Sequence, residues 1–253
     1  MMLVACVQRS EKLYEEAYQE IEKGHFRIAT DLLIRSSEAE ENNVTKYKYL
    51  SEAARIVRFE IQDYPRALKM YRLIILDADD STQRISAQEA IGEIELDNMQ
   101  DYQQALKELQ KLEPLVSDTK RKEKIKLRIA QTLYLTGQYA QAIDEISVAQ
   151  KFITNYESNF LKLKAEVFLA EKKYKESIAT YDELRMKDPL FFKDENLYIA
   201  TSIAYEENEQ FADAVRFLNK NETQIKDRSY LELRLKRLKE RLVNRPLFKG
   251  IRK

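Results

Sequence analysis

Apolar residues recur along most of the chain at the three- and four-residue spacing of an amphipathic helix, in segments separated by short polar stretches. The clearest pair of segments lies within residues 124–152, where the turn Gly137-Gln138 separates them. This pattern predicts two amphipathic helices joined by a tight turn, and similar pairs follow one another along the chain. The apolar positions of the clearest pair are Ile125, Ile129, Ala130 and Leu133 in the first helix and Ala142, Ile143, Ile146 and Ala149 in the second.

A short motif recurs within these pairs: an aromatic residue, two variable residues, and then alanine or serine. The aromatic residues of the six copies are 38, 38, 37, 35 and 37 residues apart, which is more regular than chance would give. Two packed helices need a small side chain at their closest approach, and we expect the alanine or serine to lie there. We expect the aromatic residue to close the open end of each hairpin. The copies are Phe26/Ala29, Tyr64/Ala67, Tyr102/Ala105, Tyr139/Ala142, Tyr174/Ser177 and Phe211/Ala214.

Two segments carry a resemblance to a known family: residues 130–146, AQTLYLTGQYAQAIDEI, and residues 165–189, AEVFLAEKKYKESIATYDELRMKDP. They resemble the tetratricopeptide repeat (TPR), and the resemblance extends over roughly residues 10–222. The spacing here is longer than the roughly 34 residues usual in the family. The family's large aromatic residue early in the first helix is mostly missing. The resemblance implies an all-α fold, namely a right-handed α-solenoid of about six hairpins over residues 10–225, followed by a capping helix and a basic tail over residues 226–253.

The composition supports this fold class. Only four glycines and four prolines occur among 253 residues, which leaves few tight turns for a many-stranded β protein. A hydrophobic fraction of 44% is enough to build a core, and a charged fraction of 34% suits an elongated fold with much surface.

The charge is balanced overall but unevenly distributed. The chain has 43 basic and 43 acidic residues, yet residues 226–253 contain 11 basic and three acidic ones. Such an end could contact nucleic acid, but no aromatic platform for bases accompanies it. Nucleic-acid binding is therefore not expected.

The sequence offers little catalytic or metal-binding chemistry. One cysteine and one histidine cannot build a Cys/His zinc site, and the histidine, His25, lies in a predicted turn. No phosphate-binding glycine motif and no H-E-x-x-H motif is present. Acidic pairs such as Glu40-Glu41 are expected on solvated helix faces. We therefore predict no catalytic residues, no metal site and no cofactor.

The N-terminal residues Leu3-Val4-Ala5-Cys6 match the bacterial lipobox, in which the cysteine is lipidated. Cys6 would then attach the protein to a membrane through acyl chains, with residues 1–9 as a tether. A secretory signal needs a basic start and a longer apolar stretch, so this interpretation expects a start codon further upstream. Val7 rather than aspartate after the cysteine implies the periplasmic face of the outer membrane. The alternative is a cytoplasmic protein in which the match is a coincidence.

The TPR resemblance also implies a binding site, because the first helix of each hairpin lines the concave groove in that family. Aromatic residues in such a groove could anchor a peptide or a helix of a protein partner. The alternative is that several of these residues belong to the core between hairpins. The groove positions implied by repeat phase are Tyr14, Tyr18, Tyr49, Phe59, Lys124, Gln131 and Tyr134.

These observations predict a non-catalytic scaffold for protein–protein interaction. The lipobox favours a lipid-anchored periplasmic assembly factor at the bacterial outer membrane. The alternative is a cytoplasmic TPR adaptor in signalling or motility regulation. The sequence leaves the identity of the partner and the oligomeric state open.

Overall fold

The structure is a computed structural model that describes the backbone of residues 2–152 and 154–244. Side chains are described from Arg9 onward within these ranges, except at position 195. The side chain of Cys6 and the basic tail at 245–253 therefore lie outside the described residues. The described residues form thirteen α-helices and no β-strand, which confirms the prediction of an all-α fold.

The helices form six consecutive pairs and one additional helix. In each pair a short turn joins the first helix to the second, and α13 corresponds to the predicted capping helix. The backbone of residues 2–9, predicted as a tether, is part of α1. The bounds are α1 Met2–Glu22, α2 Phe26–Ala39, α3 Asn43–Ile56, α4 Tyr64–Asp77, α5 Ser81–Glu93, α6 Tyr102–Leu112, α7 Thr119–Leu135, α8 Tyr139–Ala149, α9 Glu157–Ala170, α10 Tyr174–Lys187, α11 Glu195–Glu207, α12 Phe211–Lys220 and α13 Arg228–Val243.

The repeat motif fixes where each second helix begins. Its aromatic residue is the first residue of α2, α4, α6, α8, α10 and α12. Its small residue is fully buried in all six copies. A larger side chain at this position would hold the two helices apart, because the gap between packed backbones is set by the residues at the contact. The structure thus confirms the structural role inferred for the motif.

The turns share one backbone conformation that was not predicted from the sequence. The residue two positions before each aromatic has a positive φ between 56° and 76°. In the fifth pair, the N–H of Lys173 donates to the carbonyl of Phe168 at 2.8 Å, and that of Lys172 donates to Leu169 at 3.1 Å. These two bonds satisfy carbonyls at the end of the first helix. The six left-handed residues are Gly24, Gln62, Gln100, Gly137, Lys172 and Glu209.

Two first helices end in π-helical turns, Val57–Ile61 after α3 and Ile94–Asn98 after α5. A π turn accommodates an extra residue within a helix. Short 3₁₀ turns follow the second helices of three pairs, at Glu113–Leu115, Phe191–Lys193 and Glu222–Gln224. These irregular turns lie in the lengthened parts of the repeat.

The chain divides into two compact units, Met1–Thr136 and Gly137–Lys253. Within each unit every helix packs against the next one along the chain. The core of unit 1 includes Leu33, Ala67 and Ile74, and that of unit 2 includes Tyr181, Leu184 and Ala214. Helix α13 buries Leu231 and Leu238 in the core of unit 2. No described helix combines the length and the apolar character that a bilayer span requires.

Candidate protein-binding surface

The first helices of unit 1, together with their π turns, carry a continuous series of interacting polar and aromatic side chains, here called the first-helix face. At one end of it, three tyrosines form a cluster. The Tyr14 ring stacks on that of Tyr49 with centroids 4.4 Å apart, and its centroid lies 4.8 Å from that of Tyr18. Tyr14 and Tyr18 are one turn apart on α1, so both rings lie on the side that faces α3.

A carboxylate on α3 connects the two tyrosines of α1. The Tyr18 hydroxyl donates to Glu52 Oε2 at 3.0 Å, and the Tyr14 hydroxyl lies 3.2 Å from both Glu52 Oε1 and the Tyr18 hydroxyl. Burial, the hydrogen bond with Tyr18 and the negative charge of Glu52 raise the pKa of Tyr14 well above its usual value. The phenol therefore stays protonated and remains a donor to this group.

An open cleft of about 320 Å³ lies beside the cluster, between α1 and α3, and is here called the α1/α3 cleft. Two of its aromatic rings are accessible, since Tyr18 is 42% exposed and Phe59 is 54% exposed. Its walls combine apolar side chains with two carboxylates and one guanidinium. The lining residues are Tyr18, Ile21, Phe26, Glu52, Arg55, Ile56, Phe59 and Glu60.

A ladder of ion pairs connects the remaining first helices of unit 1. Arg58, only 7% exposed, donates to Glu93 Oε2 at 3.0 Å and to Asn98 Oδ1 at 3.2 Å. Lys124 Nζ donates to Glu93 at 2.8 Å and to Glu89 at 3.1 Å. Arg121 also donates to Glu89, at 2.6 Å. These contacts join the π turn after α3 to α5, and α5 to α7.

The ladder holds its members in their charged forms. Burial alone would raise the pKa of Glu93, but the hydrogen bonds from Lys124 and Arg58 outweigh it and lower that pKa. Burial likewise opposes the charge of Lys124, yet its hydrogen bonds to Glu93 and Glu89 raise the pKa of Lys124. A further pair joins Arg128 to Asp97 through two bonds of 3.1 Å. The middle of this face is therefore a set of mutually neutralised charges.

The structure separates the seven predicted groove residues into different environments. Tyr18 and Phe59 are exposed in the α1/α3 cleft, whereas Tyr14 is half-buried and packs against Tyr18. Tyr49 is only 5% exposed, so its ring supports Tyr14 and offers no open face. Lys124 belongs to the ion-pair ladder. Gln131 and Tyr134 are half-buried on α7, where Gln131 Oε1 lies 3.4 Å from Arg128 Nη1.

Sequence reasoning missed Glu52 and Arg58, which organise this face. One signal was available for the ladder: Glu89 and Glu93 precede Lys124 by 35 and 31 residues, about one repeat. Opposite charges one repeat apart on first helices are therefore candidates for contact. Among the described residues, no group of histidine, cysteine or acidic side chains could hold a metal ion.

Solved structures with similar folds include several tetratricopeptide repeat proteins. A tetratricopeptide repeat protein from Parabacteroides merdae is similar with a TM-score of 0.67 and 19% identity, over 92% of this chain and 89% of that one. The STAND ATPase PH0952 from Pyrococcus horikoshii, which has a TPR sensor, is similar with a TM-score of 0.68 and 18% identity, over 90% of this chain and 38% of that one. YrrB, a TPR protein with an unusual peptide-binding site, is similar with a TM-score of 0.55 and 16% identity, over 75% of this chain and 91% of that one.

The sequence matches no protein-family model and no curated protein. The structural similarity shows the fold: this chain has a tetratricopeptide-type helical repeat fold, as its repeat motif predicts.

Proposed function

We propose that this protein is a non-catalytic scaffold that binds a segment of a protein partner on the first-helix face of unit 1. One observation carries the proposal: Tyr18 and Phe59 are both exposed in an open cleft, which half-buried Ile21, Phe26 and Glu52 also line. Aromatic side chains that lose little freedom on binding are the usual anchors of protein interfaces.

The surroundings of the cleft favour a preorganised site. Tyr18 is held by its bond to Glu52 and by its contact with Tyr14. Phe59 has the Arg58 guanidinium over its ring, 4.6 Å from the centroid, and the ladder fixes Arg58 in turn. A partner would therefore meet rings that are already oriented, which lowers the entropic cost of binding.

A double substitution tests this surface. Tyr18→Ala with Phe59→Ala should reduce binding of the native partner at least tenfold while leaving helicity unchanged, because neither residue belongs to the buried core. The measurement is capture from native extract, followed by titration of the captured partner. The matched control is Leu73→Ala with Leu76→Ala, which removes two exposed apolar side chains from the second helix α4 and should not change capture.

Equal capture by wild type and the Tyr18/Phe59 variant would place binding elsewhere. A version that ends at residue 244 distinguishes one such place, the basic tail. Loss of the partner on that truncation alone would move the site to the C-terminal end of the chain.

We propose further that Cys6 is lipidated and that the protein acts as an assembly factor at the periplasmic face of the outer membrane. The lipobox match Leu3-Val4-Ala5-Cys6 and the absence of any other cysteine from the sequence support this proposal. Expressed in its native host with the DNA upstream of the gene, wild type should fractionate with membranes, and Cys6→Ala should be released from them. An intact mass with unmodified Cys6 and Met1 retained would contradict the anchor.

A further inference from the structure

Unit 2 contains an arginine seated on the aromatic residue that begins a second helix. The guanidinium of Arg241, on α13, lies over the ring of Phe211 at 4.7 Å from its centroid. The same guanidinium pairs with Glu206 on α11, which also accepts from Arg234 at 2.9 Å. A planar cation stacked on a ring and paired with a carboxylate is a favourable arrangement for arginine in particular.

The α1/α3 cleft occupies the corresponding place in unit 1. Phe26 begins α2 as Phe211 begins α12, and the next first helix starts 17 residues later in both cases, at Asn43 and at Arg228. By this register, Ile56 stands where unit 2 has Arg241, and Ile21 stands where it has Glu206. The shorter apolar pair leaves the cleft of about 320 Å³ where unit 2 places its own ion pair.

The walls of the α1/α3 cleft supply the groups that an arginine needs. Phe59 and Tyr18 offer exposed ring faces, and Ile21 and Ile56 offer apolar surface for the methylene stem. Glu52 is half-buried and held in place by the tyrosine hydroxyls. Glu60 adds a second carboxylate. The described part of the chain provides no ion pair to Glu52 or Glu60, in contrast to the glutamates of the ladder.

One cation, Arg55, also lines the cleft. Arg55 is exposed, and the lining contains two carboxylates, Glu52 and Glu60, so the charged lining is still acidic by one unit. An arriving cation is thus attracted overall, although Arg55 weakens the attraction.

We infer that the α1/α3 cleft binds an arginine side chain presented by the protein partner. The guanidinium stacks against Phe59 and Tyr18 and bonds to Glu52 and Glu60, while its methylene groups cover the isoleucines. This inference rests on the proposed function and specifies the chemistry of the segment that the first-helix face selects. Lysine should bind less well, because an ammonium neither stacks nor bonds to a carboxylate through two parallel donors.

The test uses fluorescein-labelled nine-residue peptides that carry Leu-Arg-Leu, Leu-Lys-Leu or Leu-Gln-Leu between glycine and serine residues. Fluorescence anisotropy with the full chain should show the arginine peptide binding about tenfold more tightly than the glutamine peptide, with lysine between them. Glu52→Gln with Glu60→Gln should abolish this preference without weakening the glutamine peptide. Arg55→Gln should strengthen the arginine peptide about twofold to threefold. Glu41→Gln, which alters an exposed carboxylate in the loop before α3, should change nothing.

Three results would overturn the inference: equal affinity for the arginine and glutamine peptides, no measurable binding of either, or an arginine preference that survives in the Glu52/Glu60 variant. Capture of the native partner distinguishes failure of the proposed binding surface from failure of the arginine inference. If capture is lost with Tyr18→Ala and Phe59→Ala but unaffected by Glu52→Gln and Glu60→Gln, the surface is the binding site and the arginine is not its ligand.

Discussion

At pH 8, Glu95→Gln should be more stable than the wild type by about 2–3 kcal/mol, whereas at pH 5 the two should differ little. Glu95 is only 4% exposed in the π turn after α5, and its Oε2 is buried without a hydrogen-bond partner. Its nearest cation, Arg72, approaches Oε1 only to 3.7 Å. A buried carboxylate with incomplete partners costs free energy when it is ionised.

The sign of the effect follows from proton binding. Burial first, and the charge of Glu108 second, raise the pKa of Glu95 from 4.5 to about 7. Between these two values the folded protein binds a proton that the unfolded chain has released, so stability falls as pH rises from 4.5 to 7 and then stays level. Glutamine has no charge to bury and removes this loss.

Denaturant unfolding at pH 5 and pH 8 measures the difference. Glu60→Gln is the control, because Glu60 lies in the equivalent π turn after α3 but is exposed; it should change stability by less than about 0.5 kcal/mol at either pH. A Glu95→Gln variant whose stability relative to wild type is the same at both pH values would show that Glu95 is not the group responsible.

Arg58→Met should destabilise unit 1 by about 3 kcal/mol, since it breaks a buried ion pair and leaves one partner in place. The substitution removes the bonds to Glu93 and Asn98 and the contact with the ring of Phe59. Lys124 still neutralises the charge of Glu93, so the loss of stability should be near the lower end of the range for broken buried ion pairs.

The matched control is Arg66→Met, whose partner Asp31 lies 3.1 Å away at an exposed position, so that its loss should cost less than about 0.5 kcal/mol. Combining Arg58→Met with Glu93→Gln should cost less than the sum of the single changes, because both changes remove the same Arg58–Glu93 pair. Equal effects of Arg58→Met and Arg66→Met on the denaturation midpoint would mean that the ladder contributes nothing beyond a surface contact.

The start of each second helix was predictable from sequence, and the reason is geometric. A small residue at the closest helix contact and an aromatic three positions earlier recur once per repeat, as at Tyr64 and Ala67. The π turns were not predictable, because Val57–Ile61 and Ile94–Asn98 have compositions that equally suit an α-helix.

The candidate site was predictable only in part. Repeat phase assigned Tyr14, Tyr18 and Tyr49 to one region, and the structure brings them into contact. Phase cannot distinguish a ring that faces solvent from one covered by its neighbour, so the burial of Tyr49 emerged only from packing. Lys124 likewise lies on the predicted face, but its ammonium group forms ion pairs with Glu89 and Glu93 of the same chain.

The ladder also affects how stability is shared along unit 1. A stack of helical pairs behaves approximately as a one-dimensional array, in which each pair has an intrinsic stability and a coupling to its neighbours. Arg58, Glu93 and Lys124 come from three successive pairs, so part of that coupling is electrostatic. Apolar contacts between pairs respond little to added salt, and the buried Arg58–Glu93 pair is screened only weakly, whereas the more exposed contacts of Lys124 with Glu93 and Glu89 are screened more strongly. Ionic strength therefore acts on the cooperativity between pairs more than on the stability of any one of them.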